Sequence, residues 1–160
     1  TFIEPTQNIR SLGVKLKLST TKTIVKNKSI ILIDDSLVRG TTCHKIVKML
    51  YESGAKEVHV RIACPEIKYP DFYGVDMPTK EELLAYKKNN QEMCDYIKAK
   101  SLKFLSLDGL YKALINEKRN SSYPQFSDHY FTGDYPIKPS DNLEGFKVKQ
   151  LSLLSGKSNN

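Results

Sequence analysis

The sequence predicts an α/β protein in which a parallel sheet is flanked by helices. Ile30 to Ile33 form a run of four apolar residues, which is typical of a strand buried on both faces in a parallel sheet. A helical pattern and a second strand pattern follow this run. The three segments together span roughly 35 residues, a length that suits a strand–helix–strand crossover.

The first predicted helix covers residues 41 to 53, where Ile46, Met49 and Leu50 share one face and Gly54 marks the C-terminal stop. Residues 57 to 63 alternate in polarity and predict the second strand. A proline-containing loop follows over residues 65 to 78. Thr79 and two glutamates then predict the start of a helix that ends near Tyr86.

The later elements are a helix over residues 91 to 99, a strand over 102 to 107 and a helix over 108 to 117. All of these elements lie within residues 1 to 118. Residues 119 to 160 read as a polar C-terminal tail whose last residues, from 155 on, are predicted to be disordered. Residues 1 to 10 read as a loop.

Composition indicates a soluble cytoplasmic domain. The chain has 160 residues, 39% hydrophobic and 27% charged, and no apolar run reaches the length of a membrane span. No signal peptide is visible. Cys43, Cys64 and Cys94 have no disulfide or metal-ligand spacing, which favours reduced thiols in a cytosol.

The net charge of +7 invites a nucleic-acid interpretation. However, the basic residues are mostly lysines spread along the chain, and tryptophan is absent. We therefore predict neither a nucleic-acid nor a membrane partner, and we attribute part of the positive charge to capture of an anionic substrate.

Chemistry concentrates where the first strand ends. Asp34 and Asp35 follow the apolar run, Ser36 adds a hydroxyl, and Gly40 precedes a predicted helix that begins with two threonines. Ligands of open α/β sheets bind beyond the carboxyl ends of strands. A carboxylate suits the hydroxyls of a ribose, and a helix N-terminus suits a phosphate. This segment therefore predicts a sugar-phosphate site.

This segment matches neither of two common nucleotide-binding motifs. The chain has no Gly-Lys-Ser/Thr phosphate loop and no G-x-G-x-x-G fingerprint. A signalling receiver domain also has an acidic pair after its first strand, but its phospho-accepting Asp would fall at residues 76 to 80, which have no apolar run before them. A strand and helix joined by a solvated acidic turn remains an alternative without function.

The segment DDSLVRGTT resembles the phosphoribosyl pyrophosphate (PRPP) signature of type I phosphoribosyltransferases, and specifically that of glutamine amidophosphoribosyltransferases. TFIEPTQNIR resembles the mobile active-site loop of that family. EVHVRIACPEIKYPDFYGVDMPT resembles its second strand and following loop, and FTGDYP its C-terminal motif. These collinear matches cover residues 1 to about 138.

The resemblance implies a partial type I phosphoribosyltransferase fold, a parallel sheet flanked by helices that is incomplete at its N-terminal side. Residues 1 to 118 then correspond to the C-terminal part of the transferase domain, with the PRPP-binding segment at 29 to 42. The glutaminase domain of the family is absent. We therefore expect a C-terminal fragment that is inactive alone. Whether a separate chain supplies the missing glutaminase and N-terminal transferase parts is left open by the sequence.

The resemblance also implies the reaction of the first committed step of purine synthesis, in which PRPP, glutamine and water give 5-phosphoribosylamine, glutamate and pyrophosphate. Gln7 and Arg10 belong to the mobile loop. The resemblance further implies that Asp34 and Asp35 bind Mg²⁺. No residue of this chain is assigned as catalytic. The implied PRPP-binding residues are Asp34, Asp35, Ser36, Val38, Arg39, Gly40, Thr41 and Thr42.

Some family members carry an iron–sulfur cluster held by cysteines. The corresponding positions here are Asp71, Ser127 and Tyr130, so no cluster is predicted. Homo-oligomerisation and feedback by purine nucleotides are implied by the family. A nucleobase phosphoribosyltransferase of purine or pyrimidine salvage and a non-catalytic PRPP-binding remnant are the alternatives. His44, His59 and His129 are not predicted to be catalytic.

Overall fold

The computed structural model describes residues 22 to 75 and 79 to 137. The predicted loop at residues 1 to 10 and the end of the predicted tail lie outside these ranges. The elements in chain order are α1 (Lys22–Val25), β1 (Ser29–Asp34), α2 (Thr41–Glu52), β2 (Glu57–Ile62), a short 3-10 helix (Lys80–Glu82), α3 (Leu84–Lys87), α4 (Asn90–Ile97), β3 (Ser101–Phe104), α5 (Leu107–Ile115) and α6 (His129–Thr132).

The three strands form one parallel sheet in the order β1-β2-β3. Ile30 pairs with Val58, and Val60 pairs with Leu102, so the strands are in register along their apolar residues. The helix α2 connects β1 to β2, and α4 precedes β3. The predicted parallel α/β architecture is confirmed, and it brings the carboxyl ends of all three strands to one edge.

The core lies on one face of this sheet. Val58 and Val60 of β2 pack with Val47 of α2 and with Met93 and Ile97 of α4, and all five side chains are fully buried. Each such side chain contributes about 1.5–3 kcal/mol by leaving water. This packing anchors the two helices whose N-termini and side chains border the strand ends.

The opposite face of β1 differs from the prediction. Ile31 is 64% exposed and Ile33 is 72% exposed, because α2 and α4 cover the face that carries Ile30 and Leu32. The prediction that both faces of β1 are buried is therefore wrong within the described part of the chain. An unbroken apolar run shows that two faces suit burial, but whether both are covered depends on the rest of the structure.

The helix predicted from Thr79 to Tyr86 is broken into two pieces. Leu83 has an extended backbone (φ −71°, ψ 119°) between the 3-10 helix and α3. Leu83 and Leu84 are both buried, and the Leu84 amide donates to the Val38 carbonyl at 2.9 Å. The break at Leu83 therefore occurs where both leucines are buried and where Leu84 bonds to the loop that follows β1.

The predicted polar tail contains a segment that folds back onto the domain. Asp128 and His129 are buried. The Tyr130 carbonyl accepts hydrogen bonds from the amides of Lys68 and Tyr69, at 2.9 and 3.1 Å. Residues 128 to 132 therefore pack against the loop that follows β2.

Candidate functional site

The acidic pair lies at the carboxyl end of β1. The Asp34 side chain accepts a hydrogen bond from the Asp35 amide at 3.1 Å, and the Ser36 hydroxyl donates to the Asp35 carboxylate at 3.0 Å. Partial burial raises the pKa of Asp34, and the neighbouring charge of Asp35 adds to this effect. The two carboxylates thus form a concentrated negative site that attracts a cation or hydroxyl donors.

The N-terminus of α2 lies next to this pair in the chain. Gly40 occupies the N-cap position, so no side chain caps the helix, and its first turn contains no acidic residue. Thr41 and Thr42 are exposed. The free amides of this turn, together with the helix dipole, favour an anion.

Gly40 is held in a crowded, left-handed conformation with φ of 74°. A Cβ atom at this position would lie 2.7 Å from Leu84 Cδ2 and 3.0 Å from Tyr96 Cε1. The loop between β1 and α2 is therefore pressed against α3 and α4. Only glycine fits both the backbone conformation and the available space.

Arg39 forms an ion pair with Glu82. Its Nε and Nη2 atoms lie 2.8 and 2.7 Å from Oε2 of Glu82, and both side chains are partly exposed. With the Val38–Leu84 backbone hydrogen bond, this ion pair fastens the loop to the segment around residue 83. The sequence predicts Arg39 as a phosphate-binding residue, and no sequence signal indicates its pairing with Glu82.

Buried Cys43 and half-buried Cys64 border the acidic pair. Burial, and then the charge of Asp34, raises the pKa of Cys43 to about 12. Burial, and then the charge of Asp35, raises the pKa of Cys64 to about 11. Both thiols are therefore protonated at neutral pH and are poor nucleophiles. Sequence spacing gave no signal for this proximity, because the sheet register creates it.

The predicted site residues from Asp34 to Thr42 form one continuous run from the end of β1 to the start of α2. The residues that support it come from elsewhere in the chain, namely Glu82, Leu84 and Tyr96. Gln7 and Arg10 lie outside the described residues. Within those residues, no group of three or more histidine, cysteine or carboxylate side chains forms a metal centre.

Solved structures resemble this fold. Glutamine PRPP amidotransferase from B. subtilis, in complex with ADP and GMP, matches with a TM-score of 0.72 and 42% identity, over 88% of this chain and 31% of that one. A structure described as the allosteric regulatory enzyme of purine biosynthesis matches with a TM-score of 0.69 and 46% identity, over 85% of this chain and 29% of that one. Fold and loop together define a partial type I phosphoribosyltransferase domain.

Sequence relatives identify the family. Amidophosphoribosyltransferase from Rhizobium etli is 53% identical over 156 residues, covering 97% of this chain and 32% of the relative. The enzyme from Staphylococcus aureus strain Mu50 is 53% identical over 148 residues, covering 92% and 30%. No family model matches the chain. The chain belongs to the amidophosphoribosyltransferase family and spans about a third of the length of these relatives.

None of the helices in the described ranges is long and apolar enough to cross a membrane.

Proposed function

We propose that this chain carries the part of an amidophosphoribosyltransferase that binds PRPP. The observation that supports this most directly is the position of Asp34 and Asp35 beside the uncapped N-terminus of α2, at the carboxyl end of β1. Carboxylates accept hydrogen bonds from a vicinal diol, and free helix amides bind phosphate. PRPP presents both groups on one ribose.

The proposed roles follow the chemistry of each group. Asp34 and Asp35 hold the ribose hydroxyls, and Gln7 and Arg10 close over the bound substrate. The loop amides and hydroxyls surround the 5-phosphate, with contributions from Ser36, Val38, Arg39, Gly40, Thr41 and Thr42. The sequence relatives are amidophosphoribosyltransferases, which favours this activity over phosphoribosyl transfer to a free nucleobase in salvage.

In the proposed reaction, glutamine and water give glutamate and ammonia, and ammonia displaces pyrophosphate from C1 of PRPP. The C1–O bond to pyrophosphate breaks and a C1–N bond forms, which yields 5-phosphoribosylamine. This chain contributes by positioning the ribose and excluding water. Because it spans about a third of its relatives, we propose that the glutaminase and the remaining transferase parts come from further sequence, in the same or a separate chain.

Magnesium suits the donor set at the proposed site. Mg²⁺ commonly takes one or two protein carboxylates and completes its shell with phosphate oxygens and water. Asp34 and Asp35 are two such carboxylates at one strand end. When bound, Mg²⁺ neutralises negative charge on the leaving pyrophosphate. We also propose a cytoplasmic setting, a homo-oligomer and inhibition by purine nucleotides.

Titration of the 160-residue chain with PRPP and Mg²⁺ tests the proposal. We expect binding by the wild type and at least about a 100-fold loss in Asp34→Asn/Asp35→Asn, since hydrogen bonds to charged groups contribute about 1.5–3 kcal/mol each. Calorimetry measures both affinities. Asp108→Asn, which changes an exposed aspartate of α5, is the matched control and should bind as the wild type does.

Equal affinity in the double variant and the wild type would contradict the assignment of the acidic pair. Absence of binding by a wild-type chain that is folded by circular dichroism would overturn the proposed function and favour a remnant without ligand.

A second experiment separates two roles for Arg39. If the main role of Arg39 is to attach the β1–α2 loop to Glu82, then Arg39→Ala and Glu82→Ala should lower the free energy of unfolding equally. We expect both effects to be below about 1 kcal/mol, because the pair is partly exposed. Chemical denaturation measures them. The proposed phosphate contact predicts in addition that Arg39→Ala weakens PRPP binding while Glu82→Ala does not. Equal PRPP affinities of the two variants would contradict that contact and leave the ion pair as the role of Arg39.

A further inference from the structure

A buried carboxylate outside the proposed PRPP site has an unusually complete set of partners. The side chain of Asp71 is fully buried, and its Oδ1 receives the Nε2–H of His129 at 2.9 Å and the hydroxyl of Tyr130 at 3.1 Å. Its Oδ2 accepts from the amides of Tyr73 and Val75, at 2.9 and 2.7 Å. Four donors therefore converge on one carboxylate.

His129 extends this network. Its side chain is 1% exposed, and its Nδ1 atom lies 3.0 Å from the Ser127 hydroxyl. The ring packs between tyrosines, with centroids 4.0 Å from Tyr130, 5.0 Å from Tyr135 and 5.2 Å from Tyr73. A carboxylate only accepts, so Nε2 carries the proton that is donated to Asp71. We call Asp71, Ser127, His129 and Tyr130 the Asp71 clamp.

The clamp joins two segments that are nearly sixty residues apart, since Asp71 and His129 differ by 58 positions. Further bonds follow the same seam, because the Tyr135 hydroxyl donates to the Pro70 carbonyl at 2.8 Å and the Tyr73 hydroxyl donates to the Ile137 carbonyl at 2.7 Å. The loop that the clamp holds begins at Ala63, whose amide donates to the Asp34 carbonyl at 2.9 Å. One end of the loop thus lies at the acidic pair and the other end lies in the clamp.

Three clamp residues occupy the positions at which the family resemblance places cysteine ligands of an iron–sulfur cluster. The structure brings Asp71, Ser127 and Tyr130 together around His129. Such a cluster requires thiolate ligands. These residues offer oxygen atoms instead, and the carboxylate is already engaged by four donors. The side chains present therefore do not fit a cluster.

We propose that the Asp71 clamp replaces a metal cluster as the cross-link between the loop after β2 and residues 127 to 137. It does so without metal, and it holds this loop against the acidic pair. This cross-link requires Asp71 to be ionised, because each of the four polar groups that contact its carboxylate donates a hydrogen bond to it. This inference rests on buried geometry and stands whether or not the chain binds PRPP.

The Ser127–His129–Asp71 order also resembles the hydrogen-bonded order of a hydrolase triad. However, the imidazole is fully buried among Tyr73, Tyr130 and Tyr135. A buried ring of this kind serves packing and hydrogen bonding rather than proton transfer to a substrate, so we assign the three residues a structural role.

Amide hydrogen exchange on the full chain tests the clamp. In Asp71→Asn, the side-chain NH₂ group replaces one acceptor oxygen and faces groups that are themselves donors. We therefore expect hydrogen exchange in residues 63 to 75 and 127 to 137 to accelerate at least about tenfold. The amides of β1, β2 and β3 should change much less. Ser127→Ala is the control. Ser127 is exposed and contacts Nδ1 of His129 rather than Asp71, so exchange in the same segments should accelerate less in this variant.

Acidification should reproduce this effect in the wild type. Burial by itself raises the pKa of Asp71, but the hydrogen bonds from Val75, Tyr73, His129 and Tyr130 outweigh it and lower the pKa below its ordinary value of 3.8. The stabilisation is therefore present above about pH 4 and is lost as the pH falls below it. The other titratable groups facing Asp71 are His129 and the hydroxyls of Tyr130 and Tyr135.

The decisive outcomes are distinct. Unchanged exchange in Asp71→Asn would overturn the clamp. If that variant does not fold, Tyr130→Phe removes one donor, and the same two segments should exchange faster in it. Anaerobic reconstitution of the wild type with ferrous iron and sulfide should give neither visible absorbance nor a higher Tm. A chromophore with a raised Tm would overturn the proposed replacement of the metal.

Discussion

Replacing Asp128 with alanine is expected to destabilise the chain by about 3 kcal/mol, because it removes the buried partner of the largely buried Arg119 guanidinium and of the Tyr111 hydroxyl. Asp128 is 3% exposed, and its carboxylate pairs with the Arg119 guanidinium through both oxygens. It also accepts the hydroxyl of buried Tyr111 at 2.7 Å. Urea denaturation measures the loss.

The chain offers a matched control for this prediction. Asp134 pairs with the same guanidinium at 2.6 Å, but its side chain is 59% exposed. Asp134→Ala should therefore cost below about 1 kcal/mol, since an exposed pair contributes little. Similar costs for the two variants would show that burial does not determine the contribution of Asp128, contrary to the prediction.

The Asp128–Arg119 pair makes the stability of the chain depend on pH, and the direction follows from the pKa of Asp128. Burial by itself raises the pKa of Asp128, but the hydrogen bonds from Arg119 and Tyr111 outweigh it and lower the pKa. The stabilisation from this carboxylate is thus present above its unfolded-state pKa and is lost as the pH falls through the lower folded-state value. Asp128→Ala should therefore flatten the acid side of the stability profile.

The second large effect is expected at Gly40. Gly40→Ala should cost about 2–4 kcal/mol, combining the strain of a left-handed alanine with the overpacking of its methyl group against Leu84 and Tyr96. Because the loop must move to relieve the contact, PRPP affinity should fall as well. Denaturation and calorimetric titration measure the two consequences separately.

Gly54→Ala is the control that isolates backbone strain. Gly54 also has a positive φ, at 92°, but the nearest described atom outside its chain neighbours, Lys26 Cγ, would lie 3.4 Å from the added Cβ, which is an ordinary contact. This variant should cost about 1 kcal/mol from strain alone, with no loss of PRPP affinity. If both glycine variants lose the same stability, the close contacts at Gly40 contribute nothing, and the steric part of the prediction is wrong.

The local elements were predictable because their signals are local. The apolar run at residues 30 to 33 predicted β1, and the spacing of Ile46, Met49 and Leu50 predicted α2. The break at Leu83 was not predictable from an acidic first turn. It accompanies the contact of Leu84 with the β1–α2 loop, which lies more than forty residues earlier in the chain.

The proposed site likewise has one part that the sequence predicts and another part that depends on long-range contacts. Its continuous part, from Asp34 to Thr42, is visible in the sequence because a strand end, a glycine and a helix start are consecutive. The pairing of Arg39 with Glu82 and the contacts of Gly40 with Leu84 and Tyr96 are long-range. No spacing rule relates these residues, since the sheet and the packing of α4 decide which of them meet.

The sequence by itself determined the parallel α/β class, the family and the position of the acidic pair, because each is written in a short run of neighbouring residues. Only the tertiary structure decided that one face of β1 is exposed, that Arg39 pairs with Glu82, and that Asp71 meets His129. Those outcomes depend on burial and on contacts between distant segments. The free energy of burying a charge or an isoleucine is set by the surroundings that the whole fold assembles, and neighbouring residues alone do not specify those surroundings.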